Sequence, residues 1–191
     1  MNIGKVVSFT GHRPNELFGT YELNNPKAKL LATKMLQVIE DLIEKEGASH
    51  FISGGALGTD QIAFICVNKL KQKYPHIKNI LAIPFRNQDS NWKGEQDKKR
   101  YEKIKNLADD VVFVDEIDFY NKDKSVKVGD FSKKKMQLRN MYMVDQSQIV
   151  VAVYNGTKSG TKNCVDYAEH KKKKVIVMDP NRDFDIVKKG A

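Results

Sequence analysis

Ser53-Gly54-Gly55-Ala56-Leu57-Gly58-Thr59-Asp60-Gln61-Ile62-Ala63-Phe64 decides how this chain folds. The apolar pair Phe51-Ile52 precedes it, and Ile62, Phe64, Ile65, Cys66 and Val67 follow, so the stretch reads as strand, glycine turn and helix. Glycine is needed where a backbone turns at positive φ or must approach another group without a Cβ in the way. The first-turn N–H groups of the helix behind such a turn lack intrahelical partners, and the helix dipole favours an anion there. The loop is therefore expected to cradle a phosphate. It is neither a G-x-G-x-x-G dinucleotide fingerprint nor a P-loop, because no Gly-Lys-Ser/Thr follows. A plain tight turn is the alternative.

Outward from this loop the same alternation repeats. Apolar runs at residues 5–9, 50–53, 80–83, 111–114, 149–153 and 175–178 predict six strands. Between them, helical spacing marks Leu31, Met35, Val38, Ile39 and Leu42, and then Tyr101, Ile104 and Leu107. Further helices are predicted over 62–73, around Met136 to Val144, and over 164–172. Residues 15–26 read as irregular, 121–129 as a charged loop, and the tail beyond 178 as polar. Strands that are apolar throughout and alternate with helices predict a mainly parallel sheet covered on both faces. The fold class is thus α/β: a single Rossmann-like domain over residues 1–191, with about six strands.

In open sheets of this kind ligands bind beyond the carboxyl ends of the strands. Three rich loops are expected at that edge. Thr10-Gly11-His12-Arg13-Pro14 follows the first strand, the glycine loop follows the second, and Asn155-Gly156-Thr157-Lys158-Ser159-Gly160-Thr161 follows the fifth. Arginine suits bidentate recognition of phosphate, which singles out Arg13; Arg139, in the helix before the fifth strand, could point to the same edge or lie on a solvated face. His12 is a structural residue or an acid–base group. Ser159 and Thr161 offer hydroxyl donors, and Ser159 also suits an N-cap. Asp60 is placed to meet a ribose hydroxyl or to cap its helix. Trp92 with Phe85 could stack on a base or pack the core. The expected ligand site comprises Thr10, Gly11, His12, Arg13, Ser53, Gly54, Gly55, Gly58, Thr59, Asp60, Arg139, Asn155, Gly156, Ser159, Gly160 and Thr161.

Composition bounds the function. With 191 residues, 40% hydrophobic and 30% charged, the chain has enough apolar material for one substantial core. It has no apolar run long enough for a transmembrane helix and no signal-peptide pattern at its start, so a cytoplasmic location and no membrane partner are expected. Cys66 and Cys164 both fall in expected helices and read as buried thiols, with no metal site. The net charge of +9 favours a polyanionic partner, a phosphorylated small molecule or nucleic acid. Its lysines cluster at 69–73, 133–135 and 171–174, where solvated helix ends are the plainer explanation.

The Thr-Gly-His-Arg-Pro and Ser-Gly-Gly-Ala-Leu-Gly-Thr-Asp pieces, Trp92, Arg139-Asn140-Met141 and the Asn155 to Thr161 loop together resemble the YpsA-like family of the SLOG superfamily. The resemblance spans about residues 6–180. It implies a Rossmann-like fold with a nucleotide or nucleotide-derivative site at these loops. Relatives in the superfamily include cytokinin-activating phosphoribohydrolases, the DNA-processing protein A fold, and sensors of cyclic ADP-ribose-type signals. The phosphoribohydrolases carry an arginine that Arg139 matches, and an acidic residue after their Gly-Thr. Here Gly160-Thr161 is followed by Lys162-Asn163-Cys164, so a cysteine stands at the acidic position. Asp166 lies about 200° further round the helix. Hydrolysis of an N-glycosidic bond needs a carboxylate, and a thiol of ordinary pKa is mostly neutral at pH 7.

The expected function is binding of a nucleotide-derived ligand, ADP-ribose-like or a cyclic nucleotide signal, with no cofactor and no assigned catalytic residue. A nucleoside-monophosphate phosphoribohydrolase using a displaced carboxylate such as Asp60 is one alternative. Single-stranded nucleic-acid binding is the other. Self-association into a homo-oligomer is left open.

Overall fold

Strand Ile149–Val153 shows why the sheet forms. Ile149, Val151 and Val153 pack on one side with two helices, while Val150 and Ala152 pack on the other side with two more. A strand buried on both faces has no position for a polar side chain, hence its unbroken apolar run. The computed structural model describes residues 4–22 and 24–190.

Seven strands form one sheet: β1 (Lys5–Gly11), β2 (Ala48–Ser53), β3 (Lys78–Ile83), β4 (Asp110–Phe113), β5 (Ile149–Val153), β6 (Lys174–Asp179) and β7 (Asp185–Gly190). Their spatial order is β4-β3-β2-β1-β5-β6-β7. The first six run parallel, and β7 pairs antiparallel with β6. The chain therefore builds outward from β1 in one direction, then crosses to the other side, and the order reverses between β1 and β5.

Helices α1 (Pro14–Phe18), α2 (Pro26–Glu46), α3 (Thr59–Leu70), α4 (Glu95–Leu107), α5 (Lys133–Gln146) and α6 (Gly160–His170) connect them. The largest core lies between the sheet and α2 with α3, where Leu31, Met35, Ile39, Ala63 and Val67 meet Val7, Phe9 and Phe51. On the opposite face Val144 of α5 and Cys164, Val165 and Ala168 of α6 cover β5 and β6.

Two segments differ from the sequence expectation. Residues 15–26, expected to be irregular, begin with the short helix α1. Pro14 occupies its first turn and Gly19 ends it at φ 71°, the usual proline-start and glycine-stop pairing. The tail, read as polar with no element assigned, adds β7 to the anticipated six strands. Phe184 just before it is buried in the main core, and Ile186 and Val187 remain exposed on this edge strand. Charged edges are how open sheets discourage further pairing, and the composition Asp-Ile-Val-Lys-Lys-Gly hid the strand for that reason.

The charged loop at 121–129 is anchored from beneath. Lys135 Nζ and Asp115 Oδ2 lie 2.9 Å apart with side chains 2% and 1% exposed. Lys135 also donates to the Asp130 carbonyl at 3.1 Å, and Gly129 N donates to Asp115 Oδ2 at 2.8 Å. This buried pair fixes the approach to Phe131 and Lys133, which reach the site described next.

Candidate functional site

At the point where strand order reverses, the loops after β1 and β5 border a cleft of about 360 Å³. Such reversal points are where open α/β sheets take ligands. Thr10, Gly11, His12 and Arg13 come from the end of β1 and its loop. Ala56, Leu57 and Asp60 come from the glycine loop and the first turn of α3, and Ser159, Gly160 and Thr161 from the start of α6. Helix α5 adds Lys133, Met136, Gln137, Arg139 and Asn140.

Arg139 is held rather than solvated. Its Nη1 lies 3.4 Å from Asp60 Oδ2, with the two side chains 5% and 8% exposed. Its Nε donates to Asn140 Oδ1 at 3.0 Å. The guanidinium crosses directly over Gly54, where an added Cβ would lie 1.2 Å from Nη1. Asp60 Oδ2 also accepts from Ala56 N at 3.4 Å. The anion that meets the glycine loop in this structure is thus the chain's own carboxylate.

Ser53, Gly54, Gly55, Gly58 and Thr59 are all buried and lie behind the cleft rather than along it. Their contacts are with neighbouring loops. A Cβ on Gly11 would stand 2.2 Å from Thr59 Oγ1, and that hydroxyl donates to the His12 carbonyl at 3.3 Å. The first and second strand-end loops therefore close on each other, and only glycine permits the approach.

His12 spends its ring on protein neighbours. Nε2 meets Asn155 Oδ1 at 3.0 Å, and Nδ1 lies 2.6 Å from Glu16 Oε2, off the direction of a good hydrogen bond. Asn155 Oδ1 further accepts from Thr157 N at 3.2 Å and Thr157 Oγ1 at 2.7 Å. Asn155 and Gly156 shape the loop and do not border the cleft. Ser159 caps α6 by accepting from Lys162 N at 3.2 Å, leaving the first N–H groups of the helix facing the cleft without intrahelical partners.

Arg13 is different from Arg139. It is half-buried and lines the cleft, yet among the described residues its guanidinium makes no hydrogen bond and no ion pair. Burial draws its pKa below the ordinary value, Asp60 opposes that, and the nearby Arg139 adds to it. A desolvated cation without a partner is costly.

Cys164 is buried, and burial pushes its thiol up to about 11, against a hydrogen bond with Thr10 that works the other way. It carries no negative charge near neutral pH. Asp166 is exposed and faces Lys162 at 2.6 Å. Phe85 and Trp92 are not a stacked pair: Phe85 meets Phe131 edge-on at 5.8 Å, while Trp92 meets Tyr101 at 5.0 Å.

Apart from Arg139, sequence reasoning missed the α5 side of the cleft. Lys133, Met136, Gln137 and Asn140 follow i, i+3, i+4, i+7 spacing and so share a helix face. That face mixes charge, thioether and amide, which carries no hydrophobic periodicity to detect. The lysine clusters, by contrast, are largely engaged: Lys71 with Asp109, Lys73 with Glu40, Lys135 with Asp115 and Lys174 with Glu46. Lys133 is the member that borders the cleft.

The profile of the YspA SLOG family matches residues 7–181. The chain belongs to this family. The chain is 52% identical over 147 residues to the SPbeta prophage-derived protein YoqJ of Bacillus subtilis (strain 168), covering 77% of this chain and 85% of that one. It is 33% identical over 157 residues to a UPF0398 protein of Halalkalibacterium halodurans, covering 82% of this chain and 76% of that one. Two solved structures of DNA processing protein A share the fold at 18% identity. The Helicobacter pylori protein, which binds single-stranded DNA, gives a TM-score of 0.56 with 95% of this chain and 72% of that one covered. The Streptococcus pneumoniae protein gives 0.57, covering 91% of this chain and 50% of that one. Among the described residues, no helix of this SLOG protein is long and apolar enough to cross a membrane.

Proposed function

We propose that the cleft binds the phosphate of a nucleotide-derived small molecule. Membership of the SLOG family fits nucleotide or nucleic-acid binding, and the observation that carries the reading is Arg13. A half-buried guanidinium that, among the described residues, makes no hydrogen bond or ion pair, beside the capped N-terminus of α6, is a site that an oxyanion would complete. Arg139 adds charge but is already committed to Asp60, and the Ser159 hydroxyl is spent on Lys162 N and the Thr157 carbonyl, so the free recognition capacity lies with Arg13, Thr161 and the first backbone N–H groups of α6. In this reading Gly54, Gly55, Gly58 and Thr59 act by holding Asp60, Arg139 and the first loop in place. ADP-ribose-like and cyclic nucleotides are the ligands to try first.

The chemistry favours binding over hydrolysis. Asp60 is the one carboxylate bordering the cleft besides Glu16, and it is neutralised by Arg139. Cys164 supplies no charge at the position where the phosphoribohydrolases carry an acid. Glycosidic cleavage needs a carboxylate free to stabilise a cationic centre or orient water.

Thermal unfolding with AMP, ADP-ribose, cyclic AMP and pyrophosphate tests the reading, with base release followed in parallel. A ligand at 100 times its Kd stabilises by about 2.7 kcal/mol. A rise in Tm with one of the nucleotides, without release of base, is expected. Base release that disappears in Asp60→Asn would replace the binding reading with the enzymatic one, and no shift with any compound would remove it.

A further inference from the structure

A second hollow, about 630 Å³, lies on the other side of Arg13 and Leu57, both of which border it as well as the first cleft. It is lined by Tyr21, Trp92, Lys93 and Asp97 besides those two. We propose that the two hollows form one bipartite site, in which Tyr21 and Trp92 hold an aromatic base while Arg13, on the ridge between them, holds the phosphate. The proposal rests on the phosphate-binding reading above and names what the remainder of that ligand is.

Three observations point to a base. Arg13 is within electrostatic reach of Asp60 and Arg139 on one side and of Tyr21 on the other, so it stands between the two hollows. Tyr21 is 53% exposed although it borders a concave surface, a large aromatic ring left in water. Trp92 rests one side on the buried Tyr101 and borders the hollow with the rest, an aromatic surface fixed by packing. A rigid ring and an exposed one bordering the same hollow, with a guanidinium at its boundary, suit a planar heterocycle whose attached phosphate reaches the cation. Stacking one base on an aromatic side chain is worth about tenfold to a hundredfold in affinity. Both hollows have the volume of small-molecule sites, which are about 300–1,000 Å³. The ligand chemistry is a base joined to a phosphate, whether in a free nucleotide or in one unit of a short single strand.

Trp92 is the only tryptophan in the chain, so tryptophan emission, excited where tyrosine absorbs little, reports on this hollow. The experiment titrates wild type with AMP, GMP, CMP and UMP, with tetrathymidylate, and with ribose 5-phosphate, reading fluorescence and calorimetric heat together. At least one nucleotide is expected to quench Trp92, while ribose 5-phosphate binds with little change in emission. Tyr21→Ala should weaken that nucleotide about tenfold and leave ribose 5-phosphate unaffected. Tyr21 is exposed, so this variant keeps the core intact. Quenching by tetrathymidylate but not by the mononucleotides would support the same bipartite site with a single strand as its source. Nucleotides that bind no tighter than ribose 5-phosphate, with emission unchanged and Tyr21→Ala silent, would overturn the second lobe and leave the phosphate site standing. Absence of heat with every compound would overturn both.

Discussion

Arg139 and Asp60, 79 positions apart in the chain, meet at 3.4 Å across the backbone of Gly54. The relationship ties α5 to the first turn of α3 behind the strand ends. It also explains a glycine in structural terms, because the space above Gly54 belongs to the guanidinium. The glycine loop that dominates the sequence thereby organises charge at the site without bordering the cleft through its own glycines.

Gly54→Ala should break this pair. The new Cβ would meet Arg139 Nη1 at 1.2 Å and Asp60 Oδ2 at 2.6 Å, and the arginine tip is the part able to move. Removing one partner of a buried pair costs about 3–5 kcal/mol, so Gly54→Ala and Arg139→Ala are each expected to lose that much stability in urea unfolding. Because both act through the same contact, the double variant should cost clearly less than the two single losses added. Additive losses would show that Gly54 and Arg139 act independently.

The Asp115–Lys135 pair makes a second test, at the base of the loop leading to the cleft. Lys135→Met leaves Asp115 buried and uncompensated, and should destabilise by about 3–5 kcal/mol. Lys135→Met combined with Asp115→Leu should recover much of that loss, because an apolar pair of similar volume carries no desolvation cost. A Lys135→Met protein as stable as wild type would mean the pair does not anchor the loop.

Much of this architecture was legible because the parallel strands are buried on both faces. Runs such as Ile149 to Val153 have no competing periodicity, and the glycine loop announces a strand–helix junction. What escaped has equally physical causes. Helix α1 was visible only in its Pro14 start and Gly19 stop, and β7 is an edge strand with lysines where a core strand would have valines. Arg13 and Arg139 both stood out in the sequence. Their different states did not, because Arg139 finds Asp60 only through the tertiary path over Gly54. The rest of the α5 side of the cleft, Lys133, Met136, Gln137 and Asn140, escaped for want of any apolar pattern, and the Asp115–Lys135 anchor because a buried ion pair leaves no mark on local sequence.

The two cysteines give a prediction in pH. Burial raises the Cys66 thiol to about 12 and that of Cys164 to about 11, from an ordinary value of 9.0. A raised thiol pKa means the folded state favours the neutral form. That contribution to stability is complete below about pH 9 and is lost as pH climbs through 11 to 12. Since the thiolate is the reactive form, both thiols should resist a disulfide reagent at pH 8 in the native protein and react rapidly in denaturant. Fast native labelling of Cys164 would contradict its assignment as a buried neutral group.

The most direct test of the account is Arg13→Gln, measured twice: for unfolding free energy without ligand, and by calorimetry with whichever nucleotide stabilises wild type. Among the described residues the Arg13 guanidinium makes no hydrogen bond or ion pair, and its attraction to Asp60 is outweighed by desolvation, so its removal should leave stability unchanged or raise it. The same change should weaken the nucleotide by about 1.5–3 kcal/mol, the scale of a hydrogen bond to a charged group. Stability held with affinity lost is the predicted result. Affinity within error of wild type in a folded Arg13→Gln protein would contradict the claim that this guanidinium is the anion-binding centre of the cleft.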